Sequence, residues 1–273
     1  MVKPILLYGS EIWGTSYKSD IENVQNKFCK WLILTGSKTT NVIAKGECGR
    51  YDLCATYMCR PIKYFLKLLK MEGNRLPKQC YNMLNERQNG QNNWCTAVKN
   101  LLFTTGFGSV WINQGVGNEE MFMLQFKQRL RDINFQTWLS SIENMEKCNF
   151  YKSIKSELTC EKYLCCNLPT QQIFAIANMR CSTHRLRIEA DRRNNVDRSD
   201  RICKICNTGE VETENHFLLR CPVLVDLRRQ WIPQCYVTNT SISIFNSDSI
   251  HTLKNLSMYI IQALRFREEI LSF

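Results

Sequence analysis

Apolar positions recur along most of this chain at helical spacing. Ile21, Val24, Phe28, Trp31 and Leu32 share one face, which predicts a helix over about residues 20–35 with that face buried. Ahead of it, Ser19-Asp-Ile-Glu22 has capping-box spacing, a hydroxyl and a carboxylate set to satisfy free amides at a helix start. Gly36 can close the helix. A short helix follows from Thr40 to Glu47, closed by Gly49. A longer one surrounds Pro61 with Ile62, Phe65, Leu66 and Leu69 on one face. The pattern returns over Trp94–Phe103. It returns again with Phe122, Phe126, Leu130 and Ile133, extended by Trp138 and Leu139. Pro169 suits the start of a helix through Met179, and Leu253, Leu256, Ile260, Leu264 and Ile270 mark a closing helix.

Four stretches break this rhythm. Residues 5–13 read as a short strand or extended entry, and Tyr163-Leu-Cys-Cys-Asn167 as a strand or loop. The polar run 86–93 reads as a loop, and residues 232–250, rich in Ser, Thr and Asn, as a linker. Gly106 to Gly117 is glycine-rich, but Trp111 holds the place of the third glycine of a G-x-G-x-x-G loop and no Gly-Lys-Ser/Thr follows. It reads as a packed, irregular turn. The fold class predicted is mainly α: a helical region over 1–168, an Arg-rich segment with a zinc knuckle over 169–231, and a linker with a C-terminal helix over 232–273.

Charge narrows the partners. Lys+Arg 36 against Asp+Glu 25 gives a net +11, which suits a polyanion such as RNA or DNA. No run approaches the ~18 apolar residues of a membrane span. The three apolar residues before Tyr8 are too few for a signal-peptide core. The expectation is an intracellular protein, nuclear or cytoplasmic and not secreted, with no membrane partner and no small-molecule substrate. Fifteen cysteines, an odd number, then read as core thiols or metal ligands rather than disulfides.

Four of these residues have ligand spacing. Cys203-x2-Cys206-x9-His216-x4-Cys221 offers three thiolates and an imidazole, the donors of a tetrahedral structural zinc site. A tight turn aims Cys203 and Cys206 at one ion, and a helix beginning near Thr213 brings His216 and Cys221 to one side. One Zn2+ with all four positions filled has no room for an activated water, so the site reads as structural. Upstream lie Arg180, Arg185, Arg187, Arg192, Arg193, Arg198 and Arg201, with Lys204 inside the knuckle. Arginine forks pair with phosphate and stack on bases, so these eight are candidate nucleic-acid contacts. Against that, Glu189, Asp191, Asp197 and Asp200 can pair with them in a solvated network. His184 reads as a packed or surface histidine.

Catalytic signatures are missing. The chain has no Asp-Asp, no Pro-Asp or Glu-x-Lys, no Gly-x-Ser-x-Gly and no His-Glu-x-x-His. The expectation is a protein that is not an enzyme.

Tyr8-Gly-Ser-Glu-Ile-Trp-Gly14, the helix holding Phe28-Cys-Lys30, and Gly46-Glu-Cys-Gly-Arg50 resemble the region after the polymerase palm in non-LTR (LINE-type) retrotransposon reverse transcriptases. So do the Gly106–Gly117 turn and Phe126-Lys-Gln-Arg-Leu-Arg-Asp132. Arg180 to Glu189, Arg201-Ile-Cys-Lys-Ile-Cys206 and Glu214-Asn-His-Phe217 resemble the zinc-binding tail of the same open reading frames. The chain departs from that pattern where a Gly-Arg pair usually follows Ile-Glu, with Ala190-Asp191-Arg192 in its place. The resemblance implies a carboxy-terminal fragment without the polymerase, holding element RNA or target DNA. A second reading, from another class, is a zinc-stabilised helical scaffold for protein partners.

Overall fold

Helical spacing becomes helix over most of the chain in the computed structural model, which describes residues 2–36, 39–87, 92–145, 147–233 and 241–272. The fold is mainly α. Among the described residues, extended pairing is confined to two isolated antiparallel bridges, Cys48 with Cys160 and Ile202 with Val211.

The chain forms two units. One comprises 1–25 and 51–138, the other 26–50 and 139–273. Residues 139–168, grouped by sequence with the amino-terminal region, thus belong with the Arg-rich segment and the closing helix, and so does the early stretch 26–50.

In the first unit the helices Cys59–Leu69, Leu76–Glu86, Trp94–Thr104 and Glu119–Glu143, the last as far as Trp138, enclose one core. Ile62, Phe65, Leu66, Phe126 and Leu130 fill it, as their spacing predicted, together with Val98 and Leu102, and Phe65 stacks on Trp111 at 5.2 Å between ring centres. Leu76–Glu86 was not predicted from its polar composition; it buries Tyr81 alone. The expected loop at 86–93 lies partly outside the described residues. The Gly106–Gly117 stretch is packed as expected, but Gly108–Ile112 within it is helical and buries Val110 and Trp111.

Residues 5–13 are not a strand. Two short helices, Val2–Leu6 and Ser10–Trp13, meet at Gly9, which takes a left-handed φ of 66°. A lone strand has no ladder to join among the described residues of this unit, whereas a helix satisfies its own amides. The helix Ser19–Leu32 forms, but its buried side is not the apolar stripe. Val24, Phe28 and Trp31 are exposed, while Glu22, Asn26 and Cys29 are buried. The Glu22 carboxylate accepts from the backbone N–H groups of Leu53 and Cys54, at 2.9 and 2.8 Å. Those amides open the next helical turn, Cys54–Tyr57, and would otherwise be orphans.

In the second unit the helices Thr170–Arg180 and Ile250–Ser272 pack together, and Ser241–Phe245 joins them with Ile244 and Phe245 buried. The carboxy-terminal end of the expected linker is therefore core; residues 234–240 lie outside the described residues. Lys162–Cys165 is a helical turn rather than a strand or loop, with Tyr163 buried. The helix expected over Thr40–Glu47 forms as Asn41–Glu47, with Thr40 capping it through a bond from the Ile43 N–H, and Gly49 closes it at a φ of 58° as expected.

At the centre of this unit Arg180 is wholly buried. Its Nε and second terminal nitrogen reach Glu47 at 2.8 and 3.1 Å, and that second nitrogen also reaches Glu161 at 2.9 Å. Tyr163 donates its hydroxyl to Glu47 at 2.7 Å, and Lys155 pairs with Glu161. Formal charges in the cluster balance. Burial nevertheless pushes the Glu161 carboxyl up, against the pull of Arg180 and Lys155.

Removing one partner strands a buried charge. Glu47→Ala should cost about 3–5 kcal/mol in denaturant unfolding, and the double change Glu47→Met, Arg180→Met should recover part of that loss. Equal stability of Glu47→Ala and wild type would show the pair to be dispensable.

Candidate metal centre

Cys203, Cys206, His216 and Cys221 converge, and all four are buried. Their ligand atoms lie within 4.8 Å of one another. A tetrahedron with metal–sulfur bonds of about 2.3 Å has edges near ~3.8 Å, so small side-chain adjustments close the cluster on an ion.

Two local structures make this possible. Cys203 and Cys206 sit on a hairpin-like turn, tied by the Cys203 N–H to the Glu210 carbonyl and the Glu212 N–H to the Arg201 carbonyl, each 2.9 Å. Gly209 turns the chain with a φ of 71°. His216 and Cys221 lie on a helical turn that begins near Thr213, as expected, but it is a π turn over His216–Arg220. The Cys221 N–H donates to the His216 carbonyl at 2.7 Å. Five residues of α-helix would rotate Cys221 about 140° away from His216. The wider π turn brings both back to one side.

A π turn leaves carbonyls without their usual partners, and buried side chains supply them. Arg228 donates to the Leu218 and Cys221 carbonyls, both at 2.9 Å, and Tyr259 donates to that of Phe217 at 2.6 Å. Glu210 accepts from His216 Nδ1 at 2.9 Å, which points Nε2 at the cluster, 3.4 Å from the Cys206 sulfur. A carboxylate behind a histidine in this way fixes its tautomer and raises its basicity toward a metal.

Protons occupy the cluster when no ion does. The hydrogen bond to Cys221, with burial behind it, pushes the Cys203 thiol up to about 12, and the same bond pulls Cys221 down. Burial opposes a charge on His216, but bonds to Cys203, Glu210 and Cys206 outweigh it and hold the ring up at about 9. A metal ion would replace those protons, so the donor set fits a thiophilic cation.

Glu212 joins the centre to its surroundings. It is buried, receives Arg267 from the closing helix at 2.6 and 2.8 Å, and accepts from the Arg187 N–H at 2.7 Å. Sequence spacing found the four ligands. It missed Glu210, Glu212 and Arg228, whose residue types carry no ligand-spacing signature, and Tyr259 and Arg267, which the closing helix brings to the cluster only through the fold.

The eight candidate basic residues divide sharply. Arg180 is corrected outright: it is inside the core and cannot meet a phosphate. Arg201 is committed to the Val196 and Ile188 carbonyls, at 2.8 to 3.0 Å. Arg187 pairs with Asp191 at 2.6 Å and Arg192 with Glu189 at 2.7 Å, as the network alternative anticipated for two of its carboxylates. The departure at Ala190-Asp191-Arg192 is thus a helical turn locked by its own ion pairs. Arg185 is exposed, 3.7 Å from Glu268. Arg193, Arg198 and Lys204 are exposed and make no ion pair among the described residues. His184 is buried as a packed residue, with Leu186 N–H on Nδ1 and Glu214 on Nε2. Lys147, which sequence reasoning passed over, lines two adjoining clefts of about 340 and 270 Å³, and Cys148 and Arg192 line both as well.

No family model, curated protein or solved structure matches this chain.

Elemental analysis of purified protein should find one metal ion per chain, lost in Cys206→Ser and in His216→Ala. Glu210→Gln should keep the site but weaken it about 10- to 100-fold in competition with a chelator. Affinity should also fall with acid, by about tenfold per pH unit for each proton displaced, because Cys203 and His216 hold theirs at neutral pH. A metal affinity flat between pH 6 and 8 would count against ligation by these residues.

Proposed function

We propose that this chain is a non-catalytic nucleic-acid-binding protein whose Cys203, Cys206, His216 and Cys221 hold one structural zinc ion. The reading goes with the LINE-type reverse transcriptase it resembles, as a remnant that keeps the zinc-binding tail and contacts RNA or target DNA. Three thiolates and an imidazole suit a borderline-soft ion in a tetrahedron, and hard oxygen-seeking cations do not. With four protein ligands the zinc would fix the hairpin-like turn against the π turn and present no open position.

One observation carries the nucleic-acid reading. Beside the Cys/His cluster the buried arginines are paired, whereas Arg193, Arg198 and Lys204 are exposed with no ion pair among the described residues and Arg185 is exposed with only a 3.7 Å contact to Glu268. Arg185, Arg193, Arg198 and Lys204 are free to meet solvent, and Arg193 and Arg198 each line one of the two clefts that share Lys147 and Arg192. Buried arginines set the shape here; exposed ones would meet phosphate.

Four such contacts predict a moderate salt dependence. Affinity for a single- or double-stranded oligonucleotide should fall about 50- to 150-fold between ~50 and ~200 mM salt. Arg193→Glu with Arg198→Glu should weaken binding to all sequences and flatten that slope, without loss of zinc. Unchanged binding of a protein partner alongside absent oligonucleotide binding would favour the scaffold reading instead.

A further inference from the structure

Away from the metal centre, a second pair of thiols meets. Cys160 and Cys165 are exposed, and their sulfurs lie 3.6 Å apart. A disulfide needs about 2.05 Å, so side-chain rotation has roughly 1.5 Å to close. The backbone holds both residues in place for this. Cys160 forms the antiparallel bridge with Cys48, and the next N–H, that of Glu161, donates to the Glu47 carbonyl at 2.9 Å. Gly49 presses against the same point; a Cβ there would sit 2.2 Å from the Cys160 nitrogen. Cys165 ends the helical turn Lys162–Cys165, closed by the Cys166 N–H on the Lys162 carbonyl at 3.0 Å. Cys160 also borders a cleft of about 300 Å³ lined by Thr159, Lys162 and Asn246.

Among the described residues, the other thiols lack this combination. Cys29 and Cys48 lie together but are buried, shut away from an oxidant. Cys80 is exposed, and no hydrogen bond joins it to another thiol among the described residues.

We propose that Cys160 and Cys165 form a redox-active dithiol that closes into an intramolecular disulfide on meeting a low-molecular-weight disulfide such as oxidised glutathione. Burial and the bond to Cys165 push the Cys160 thiol up to about 11, which leaves Cys165 to react first. The Cys165 thiolate attacks one sulfur of the reagent, whose S–S bond breaks and releases one glutathione thiolate. Cys160 then gives its proton to solvent and attacks the Cys165 sulfur of the mixed disulfide, expelling the second glutathione. The protein loses two electrons and two protons, and one oxidised glutathione becomes two reduced ones. Reversal by excess reduced glutathione follows from the same exchange.

The test is a redox titration of the full chain in mixtures of oxidised and reduced glutathione, with alkylation of free thiols and peptide mapping by mass spectrometry. Expected are a Cys160–Cys165 cross-link, loss of two alkylatable thiols, no glutathione retained on either residue, and reversal by reductant. Half-oxidation should come at an oxidant level at least about tenfold below that which modifies Cys80, since closure is intramolecular. Cys160→Ser should trap glutathione on Cys165. Separate glutathione adducts on Cys160 and Cys165 in wild type, a cross-link through Cys166 instead, or a midpoint equal to that of Cys80 would overturn the proposal. The wild-type peptide map decides the question even if the variant does not fold.

Discussion

The second unit depends on one buried ion pair. Glu47 and Arg180 stand 133 positions apart in the chain, and between them the polypeptide leaves to build most of another unit, from 51 to 138. A charge with no exposure cannot stay unpaired, so the segment 26–50 has to return to the Thr170–Arg180 helix. Tyr163, Glu161 and Lys155 then take their places around the pair. Apolar burial alone would accept several placements of a short amphipathic helix such as Asn41–Glu47. A bidentate arginine–carboxylate contact accepts very few.

The Cys/His cluster is tied into that unit in the same way. Small metal modules often rely on the ion for their fold, but here carbonyls of the ligand-bearing turn are held by Arg228 and Tyr259, and Glu212 holds Arg267. The closing helix is therefore part of the cluster's support. Charge at the Arg-rich segment divides along the same line: arginines that hold carboxylates or carbonyls shape the segment, and the remainder face outward.

Much of this was legible in the residues. Ile62, Phe65 and Leu66 announce their helix, and Phe122, Phe126 and Leu130 another, because a 3.6-residue period has one physical cause. Ligand spacing announced the cluster at 203–221 for a similar reason: few other patterns of three thiols and a histidine fall so close in sequence. The failures share a cause too. Val24, Phe28 and Trp31 were expected inside, yet Glu22 is buried instead, because the amides of Leu53 and Cys54 needed a carboxylate that only the folded chain brings near. Arg180 looked like a surface cation because its partner lies far upstream in the sequence. Periodicity records which residues avoid water; it does not record which polar group a distant segment will require.

The π turn at His216–Arg220 bears on insertions and deletions. It is an α turn carrying one extra residue, and it returns His216 and Cys221 to the same side as an α-helix would with one residue fewer between them. Ligand geometry by itself is thus indifferent to a one-residue change in this spacing. What is not indifferent is the set of carbonyls the turn leaves open. Shortening it to an α turn would let the backbone ladder claim carbonyls that Arg228 and Tyr259 now hold, and leave those buried donors to find other partners. The surrounding side chains are matched to the π form, whichever spacing the ligands accept.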